Sequence, residues 1–379
     1  MKIAYCIGSL KNKGGMEQVL ANKTDSFIND FGYKIHIITE DQRGLFVEYD
    51  FNKEIEFHDM AISQLNSKTI KGVTFVKNIF NLRRLYTKLF NKIKPDIIVV
   101  CERGYLDYVI PYTDYDVPKI REFHFAKEAV NIHASLMKPW LKKIKHLLTY
   151  RVIFRMFNKY DCLVLLTNRD KKNGGYKTNL EVIPNMIPSN LPKNSAGLTN
   201  EIVISVGSMH DKRKGFDIQI KLWKEVVKKY PNWILNIYGD GVERKNLQIL
   251  IDSLDLNENV FLHGNSNNMS KHYLDSSIFL FTSMAEGLPM VLIEAQSFGL
   301  PCVAYDCPTG PSDIITNNKD GFVVNQSDIE ILKEKLFLLI EDKNLRLEMG
   351  NNARKSVLKY LPVKVGEQWK VLFEKLIEK

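Results

Sequence analysis

The apolar positions of the chain fall into short unbroken runs, and longer segments of helical period lie between them. In the first half, Lys2 to Ile7, Lys34 to Glu40, Asp96 to Cys101, Lys119 to Phe123 and Cys162 to Leu166 predict strands. Helices are predicted from Gly14-Gly15 through Phe31, over Ile70 to Lys92, and as one long element from about Glu128 to Asn158. An unbroken apolar run is the pattern of a strand buried on both faces. Its alternation with helices points to a parallel sheet covered on both sides.

A stretch without periodicity, Ile183 to Ser195, carries three prolines among polar residues and reads as a linker. The rhythm then restarts, with strands predicted at Ile202 to Val206, Trp233 to Tyr238, Val260 to His263, Ile278 to Phe281, Cys302 to Tyr305 and Gly321 to Val324. Val363 to Lys379 closes the chain as an amphipathic helix with Trp369, Leu372, Phe373 and Leu376 on one face. The fold class read from this pattern is α/β, with two Rossmann-like doubly wound parallel-sheet domains in tandem. The expected limits are 1–185 for the first domain, 186–360 for the second, and 361–379 for the closing helix.

A length of 379 residues is about twice that of one typical domain and agrees with this division. No apolar run reaches the ~18–20 residues that span a bilayer. The N-terminus reads as a first strand and not as a secretion signal, so the expected location is cytoplasmic. The five cysteines, Cys6, Cys101, Cys162, Cys302 and Cys307, are an odd number, four of them in or beside apolar runs, and read as buried free thiols. The eight histidines are scattered and no Cys-x-x-Cys pair is present, so no metal site and no structural zinc are expected.

The net charge of +9 is uneven: residues 1–190 carry 30 Lys and Arg against 20 Asp and Glu, and the remainder 23 against 24. Two stretches concentrate the excess. Lys68 to Lys94 holds eight basic residues and no acidic one, and Lys138 to Lys159 holds seven and none. Such asymmetry points to an anionic surface as partner. In the second stretch Trp140, Leu141, Ile144, Leu147 and Leu148 alternate with Lys142, Lys143 and Lys145, a pattern suited to an anionic membrane or a pyrophosphate-linked lipid. No nucleic-acid module accompanies it, and nucleic acid is not expected as a partner.

The segment richest in chemistry is Glu286-Gly287-Leu288-Pro289-Met290-Val291-Leu292-Ile293-Glu294, which follows a predicted strand and runs into a helix. In an open α/β sheet, ligands collect beyond the carboxyl ends of strands, where helix N-termini present unpaired N–H groups. Backbone donors there can hold a diphosphate while carboxylates accept from hydroxyls. The bland alternative is a helix cap at Glu286 and a solvated charge at Glu294.

Glu286-x7-Glu294, followed by Gly299-Leu300-Pro301, resembles the carboxylate signature of retaining glycosyltransferases of family 4, which have the GT-B fold, two such domains facing across a cleft. Lys214-Gly215 is similar to that family's phosphate-binding Lys-Gly, Tyr238-Gly239-Asp240-Gly241 to its Gly-Asp-Gly turn, Gly14-Gly15-Met16-Glu17 to its N-terminal loop, and Ile183-Pro184-Asn185 to its interdomain Pro-Asn. The resemblance implies a retaining, metal-independent transferase without cofactor, and a closing helix, 361–379, that crosses back to the first domain. Lys214, Glu286 and His124 are then the catalytic candidates. Gly15, Arg213, Gly239, Gly264, Gly287, Leu288, Pro289, Met290, Val291 and Glu294 are the donor-binding ones. Glu294 would hold the ribose, Glu286 the sugar hydroxyls, and Lys214 the departing diphosphate.

One departure stands out. The family usually places Arg after the glycine that ends the first strand of the second domain; here Gly207 is followed by Ser208, and Arg213 or Lys212 is the candidate substitute. Arg donates a planar fork that Lys does not copy. The loop Asp306 to Asp313 resembles one found in bacterial enzymes that build surface glycans from UDP-sugars. The implied activity moves N-acetylhexosamine or galactose from a UDP-sugar to a lipid-linked saccharide, on the inner face of the cell membrane. A UDP-sugar epimerase of the same fold and a non-catalytic nucleotide- or glycan-binding protein are the alternatives.

Overall fold

The computed structural model describes residues 1–11, 15–42, 51–62, 73–101, 105–136, 140–326 and 328–378. The chain divides into two compact units. The first comprises 1–124, 144–189 and 360–379, and the second 125–143 and 190–359. The expected boundary after residue 185 therefore lies after 189, and residues 125–143 group with the second unit although they fall far inside the first in sequence.

The first unit holds a seven-stranded parallel sheet built from β1 (Lys2–Ile7), β2 (Lys34–Thr39), β3 (Glu56–Asp59), β4 (Ile97–Val100), β5 (Lys119–Phe123), β6 (Cys162–Leu165) and β7 (Leu180–Val182), in the order β3-β2-β1-β4-β5-β6-β7. The central strands β4 and β6 are buried along their whole length, as their unbroken apolar runs demand. Strands β3 and β7 were absent from the sequence reading. They are short edge strands in which Glu56, Phe57 and Asp59 are exposed and Glu181 half-buried, so neither leaves an apolar run to find.

The long helix expected over 128–158 is two helices, Lys127–Leu136 and Trp140–Phe157. Residues 137–139, including Lys138, lie outside the described residues, as do 70–72 at the start of the helix observed as Val73–Ile93. Helix Trp140–Phe157 buries Tyr150, Ile153 and Phe157 at spacings of three and four, while Trp140, Leu141, Ile144, Leu148 and Val152 are exposed. It is thus apolar on two sides, and one of them is uncovered.

The helix Pro362–Ile377 packs its face of Trp369, Leu372, Phe373 and Leu376 into the core of the first unit. Its neighbour is helix Gly15–Asn29, where the Phe27 ring lies 6.4 Å from Trp369 and 5.7 Å from Phe373. Spacings of three and four residues bring those side chains onto one stripe, and Pro at the first turn fits the fixed φ of a helix start.

The second unit holds six parallel strands, β8 (Ile202–Val206), β9 (Ile234–Tyr238), β10 (Val260–Gly264), β11 (Ile278–Phe281), β12 (Cys302–Asp306) and β13 (Gly321–Asn325), in the order β10-β9-β8-β11-β12-β13. The order runs outward one way from β8 and the other way from β11. A switch point therefore lies between these two strands. All five cysteines are buried and unpaired.

Candidate active site

Lys214 and Glu286 are 72 residues apart in sequence, yet each leaves the carboxyl end of a strand beside the switch point. Lys214 ends the short turn Lys212–Lys214 after β8, and Gly215 follows at φ +67°, a left-handed conformation. A Cβ on Gly215 would lie 2.4 Å from the Thr282 carbonyl oxygen, so the turn sits directly on the end of β11. Hydrogen bonds stitch the two loops together: the Thr282 hydroxyl donates to Gly215 O at 2.9 Å, and Met284 N to Arg213 O at 2.8 Å. Gln219 braces them from beneath, its amide donating to Ser205 Oγ at 3.0 Å and Thr282 Oγ1 at 2.9 Å.

On this frame the Lys214 ammonium donates to Glu286 Oε1 at 2.7 Å, the Ser283 hydroxyl to the same oxygen at 2.6 Å, and Arg213 Nη1 lies 3.1 Å from it. Arg213 also donates to Ala285 O at 2.8 Å, and its guanidinium carbon lies 5.9 Å from the centre of the Phe125 ring. Burial alone would push the Glu286 carboxyl up. The cations of Lys214 and Arg213, with the two donated hydrogen bonds, outweigh it and hold the group below its ordinary value. Of the two candidates for the missing family arginine, Arg213 reaches the carboxylate, whereas Lys212 is exposed. Ser208 is exposed and accepts from His210 N at 3.3 Å.

Gly287, Leu288 and Pro289 are buried and lead into helix Met290–Ser297, where Met290 and Val291 are half-buried at the first turn. No side chain caps this helix, whose first turn is where backbone N–H groups lack intrahelical partners, though Leu292 N donates to Pro289 O at 3.0 Å. The Asp306 to Asp313 loop supports the segment, the Thr309 hydroxyl donating to Glu286 O at 2.6 Å. Glu294 stands apart from the ion pair: its Oε2 accepts from the Tyr273 hydroxyl at 3.1 Å. Burial raises this carboxyl above its ordinary value, the Tyr273 bond acting weakly the other way.

Gly239 and Gly264 adjoin one another at the ends of β9 and β10, Gly239 N donating to Gly264 O at 2.8 Å. At φ +129°, a Cβ on Gly239 would lie 1.9 Å from the Gly207 carbonyl oxygen, so only glycine fits the turn. In the first unit, Gly15 opens its helix exposed, and a Cβ there would meet nothing. The fold itself does not demand glycine at that position. Gly14 lies outside the described residues.

His124 follows β5 in the first unit, its Nε2 3.2 Å from Glu122 Oε2. Lys23 occupies that carboxylate from the other side, at 2.5 Å from each oxygen. Sequence reasoning missed both partners. The available signal was Lys23 itself, which falls on the stripe Leu20, Lys23, Phe27 of an otherwise core-facing helix. The histidines are less scattered in space than along the chain: His36 Nδ1 lies 3.0 Å from His58 Nε2 and 3.5 Å from Glu56 Oε2. Among the described residues these three side chains could supply ligand atoms to one ion. The imidazole nitrogens meet nearly head to head, however, with ring centres 5.3 Å apart, which is the geometry of a shared hydrogen bond.

Residues 187–356 match the family described as glycosyl transferases group 1. An uncharacterized glycosyltransferase of Haemophilus influenzae is 29% identical over 374 residues, covering 97% of this chain and 99% of that protein. The GalNAc-alpha-(1->4)-GalNAc-alpha-(1->3)-diNAcBac-PP-undecaprenol alpha-1,4-N-acetyl-D-galactosaminyltransferase of Campylobacter jejuni is 32% identical over 138 residues, 36% of this chain and 38% of its own length. Among solved structures, a variant of S. aureus TarM in complex with fondaparinux, alpha-GlcNAc-glycerol and UDP superposes with a TM-score of 0.78 at 20% identity, covering 98% of this chain and 99% of that one. With a family match across nearly the whole second unit and likenesses in fold that extend over both, residues 187–356 belong to glycosyl transferases group 1 and the chain has the GT-B fold.

Proposed function

We propose that the protein transfers a sugar, N-acetylhexosamine or galactose, from a UDP-sugar to a lipid-linked saccharide in the synthesis of a bacterial surface polysaccharide, with retention at the anomeric carbon and without a bound metal. The observation that carries this reading is the convergence of Lys214 and Arg213 on Glu286 at the switch point of the second sheet. As the bond from the anomeric carbon to the UDP oxygen breaks, negative charge grows on the diphosphate. Two fixed cations and the uncapped N–H groups at Met290 and Val291 are placed to take it. The acceptor oxygen bonds to the same face of the sugar, and its proton passes to the departing phosphate. Glu286 accepts from sugar hydroxyls and Glu294 from the ribose.

UDP as the leaving group has support in the nucleotide bound by the TarM variant, and a lipid-linked acceptor in the undecaprenol-linked substrate named for the Campylobacter enzyme. A place on the inner face of the membrane has support in helix Trp140–Phe157. Its uncovered row of Leu141, Ile144, Leu148 and Val152 lies among exposed Lys142, Lys143, Lys145 and Arg151. No helix among the described residues is long and apolar enough to cross a membrane.

A panel of UDP-sugars tested by thermal shift identifies the donor, since a ligand at ~100 times its Kd adds about 2.7 kcal/mol to stability. UDP release that requires a lipid-linked saccharide and disappears in Glu286→Ala is the expected outcome. Interconversion of the sugar without acceptor would show an epimerase, and binding without turnover would show a silent binding protein.

A further inference from the structure

Glu294 is a carboxylate with no cation to offset its burial. It is half-buried on helix Met290–Ser297, burial works against its charge, and the Tyr273 hydroxyl donates to its Oε2 at 3.1 Å. Among the described residues no hydrogen bond reaches Oε1. An uncompensated charge destabilises a fold, and a glutamine would accept the same Tyr273 bond without one. The charge therefore points to a ligand that donates to it.

Tyr273 holds this carboxylate in one place. It is 2% exposed on helix Met269–Leu274, its ring stacks on Phe298 with centres 5.1 Å apart and planes at 26°, and the Phe279 ring of β11 lies 6.3 Å away. Phe298 closes the helix that carries Glu294, four residues on, so the two lie on one face a turn apart. The Tyr273 side chain spans that turn, with its ring on Phe298 and its hydroxyl on Glu294. The short helix is pinned one residue earlier, where His272 stacks on Tyr238 at 4.4 Å and its Nε2 lies 2.9 Å from Ser266 Oγ. Burial and the neighbouring carboxylate push the Tyr273 phenol well above its ordinary value, so it stays a donor.

We propose that Tyr273 is a positioning residue for nucleotide binding: by holding Oε2 it selects one rotamer of Glu294 and leaves Oε1 to accept from the ribose hydroxyls of the donor. This rests on the ribose role given to Glu294 above. A glutamate that is free to turn must be ordered anew each time a nucleotide binds, which weakens binding. A fixed hydroxyl removes that ordering from the binding step. It also makes the site selective, because an acceptor held still favours a sugar with a hydroxyl at the matching place over one without it. A phenylalanine at 273 would pack on Phe298 equally well and orient nothing.

The test uses the full-length protein, Tyr273→Phe, which keeps the ring and removes the hydroxyl, and Glu294→Gln, titrated calorimetrically with UDP, 2′-deoxy-UDP and 3′-deoxy-UDP. The wild-type protein is expected to bind UDP about tenfold or more tighter than the weaker of the two analogues, the scale of one hydrogen bond to a charged acceptor. Tyr273→Phe is expected to bind UDP about tenfold more weakly and to narrow the preference to about threefold or less. Its donor KM should rise while kcat stays within about twofold, the signature of lost ground-state binding. An equal loss for all three nucleotides, with the preference intact, makes Tyr273 a packing residue and overturns the positioning. A Tyr273→Phe variant that binds like the wild-type protein overturns it too, and if Glu294→Gln alone loses the preference, the ribose role stands without Tyr273. Should the wild-type protein bind no UDP, bind all three nucleotides alike, or keep its full preference in Glu294→Gln, the ribose role of Glu294 falls and the positioning with it.

Discussion

The ammonium of Lys214 and the carboxylate of Glu286 satisfy one another at 2.7 Å, across two loops that the sheet order alone makes neighbours. A donor diphosphate would therefore enter a site whose cation is already aimed, and whose carboxylate is released to accept from hydroxyls as the cation turns to phosphate. Lys214→Met is expected to lower kcat ~10²–10³-fold, the scale on which a preorganised charge stabiliser acts. Glu286→Ala is expected to lose activity on the same scale. The double variant should cost little more than either single one, because the residues act as a unit. Steady-state UDP release measures all three. Additive losses would show that the pair is not one functional unit.

Arg213, one of the two candidates for the arginine absent at Ser208, is the one that reaches the Glu286 carboxylate. Its Nη1 serves both Glu286 Oε1 and Ala285 O while its guanidinium carbon lies 5.9 Å from the Phe125 ring centre, and a lysine has no planar group to keep all three contacts. Arg213→Lys is expected to raise the donor KM or lower kcat by about tenfold, the worth of one lost charge-assisted bond at ~1.5 kcal/mol. Lys212→Ala, at an exposed side chain, should leave both constants unchanged.

The two glutamates of the signature respond to pH in opposite ways. Glu286 is held below its ordinary value, so the stability it contributes is fully present above the unfolded-state value near ~4.3 and is lost as pH falls through the lower folded-state value. Glu294 is raised by burial. Its contribution is present below the unfolded-state value and is lost as pH rises through the higher folded-state value. Glu294→Gln, always neutral, is therefore expected to gain thermal stability relative to the wild-type protein at pH 7 and to lose that advantage toward pH 4. Thermal melts of both proteins across this range check the sign.

Gly239→Ala places a methyl group 1.9 Å from Gly207 O, backbone against backbone, in a conformation that alanine resists. Overpacking of this kind costs about 1–3 kcal/mol or more, measurable as a lower denaturation midpoint. Gly15→Ala, where the added atom meets nothing, should leave stability unchanged. Any loss at Gly15 would then appear in donor binding alone.

The uncovered stripe of helix Trp140–Phe157 gives a membrane prediction. Ile144→Asp with Leu148→Asp is expected to weaken sedimentation with phosphatidylglycerol vesicles by well over tenfold, since each buried apolar side chain is worth about 1.5–3 kcal/mol. Added salt should weaken the wild-type binding as well, by screening the lysines. Neither change should alter the melting temperature by much, because both side chains are exposed.

Much of this architecture was legible in the chain. Strands such as Ile97–Val100, Cys162–Leu165 and Ile278–Phe281 are buried on both faces and so leave unbroken apolar runs. The amphipathic stripe of the last helix was equally plain. The edge strands Glu56–Asp59 and Leu180–Val182 were not, because a strand with one open side keeps polar residues. Residues Glu286 and Lys214 were found through their motifs, but the contact of Arg213 with Glu286 depends on the path of a turn that no spacing encodes. The grouping of residues 125–143 with the second unit was hidden for a different reason: Ala126 and Ala129 bury against Ala285, and small residues at such a contact leave no hydrophobic signature.

Residues 360–379 complete the hydrophobic interior of the unit that the first 124 residues begin. A nascent chain emerging from the ribosome therefore holds an unfinished seven-stranded half, its Phe27 without Trp369 and Phe373, through the whole time that the six-stranded half is being made. Premature termination near residue 360 would leave the later-made half intact and unravel the earlier one, so that a lesion at the far end of the message is felt at its beginning.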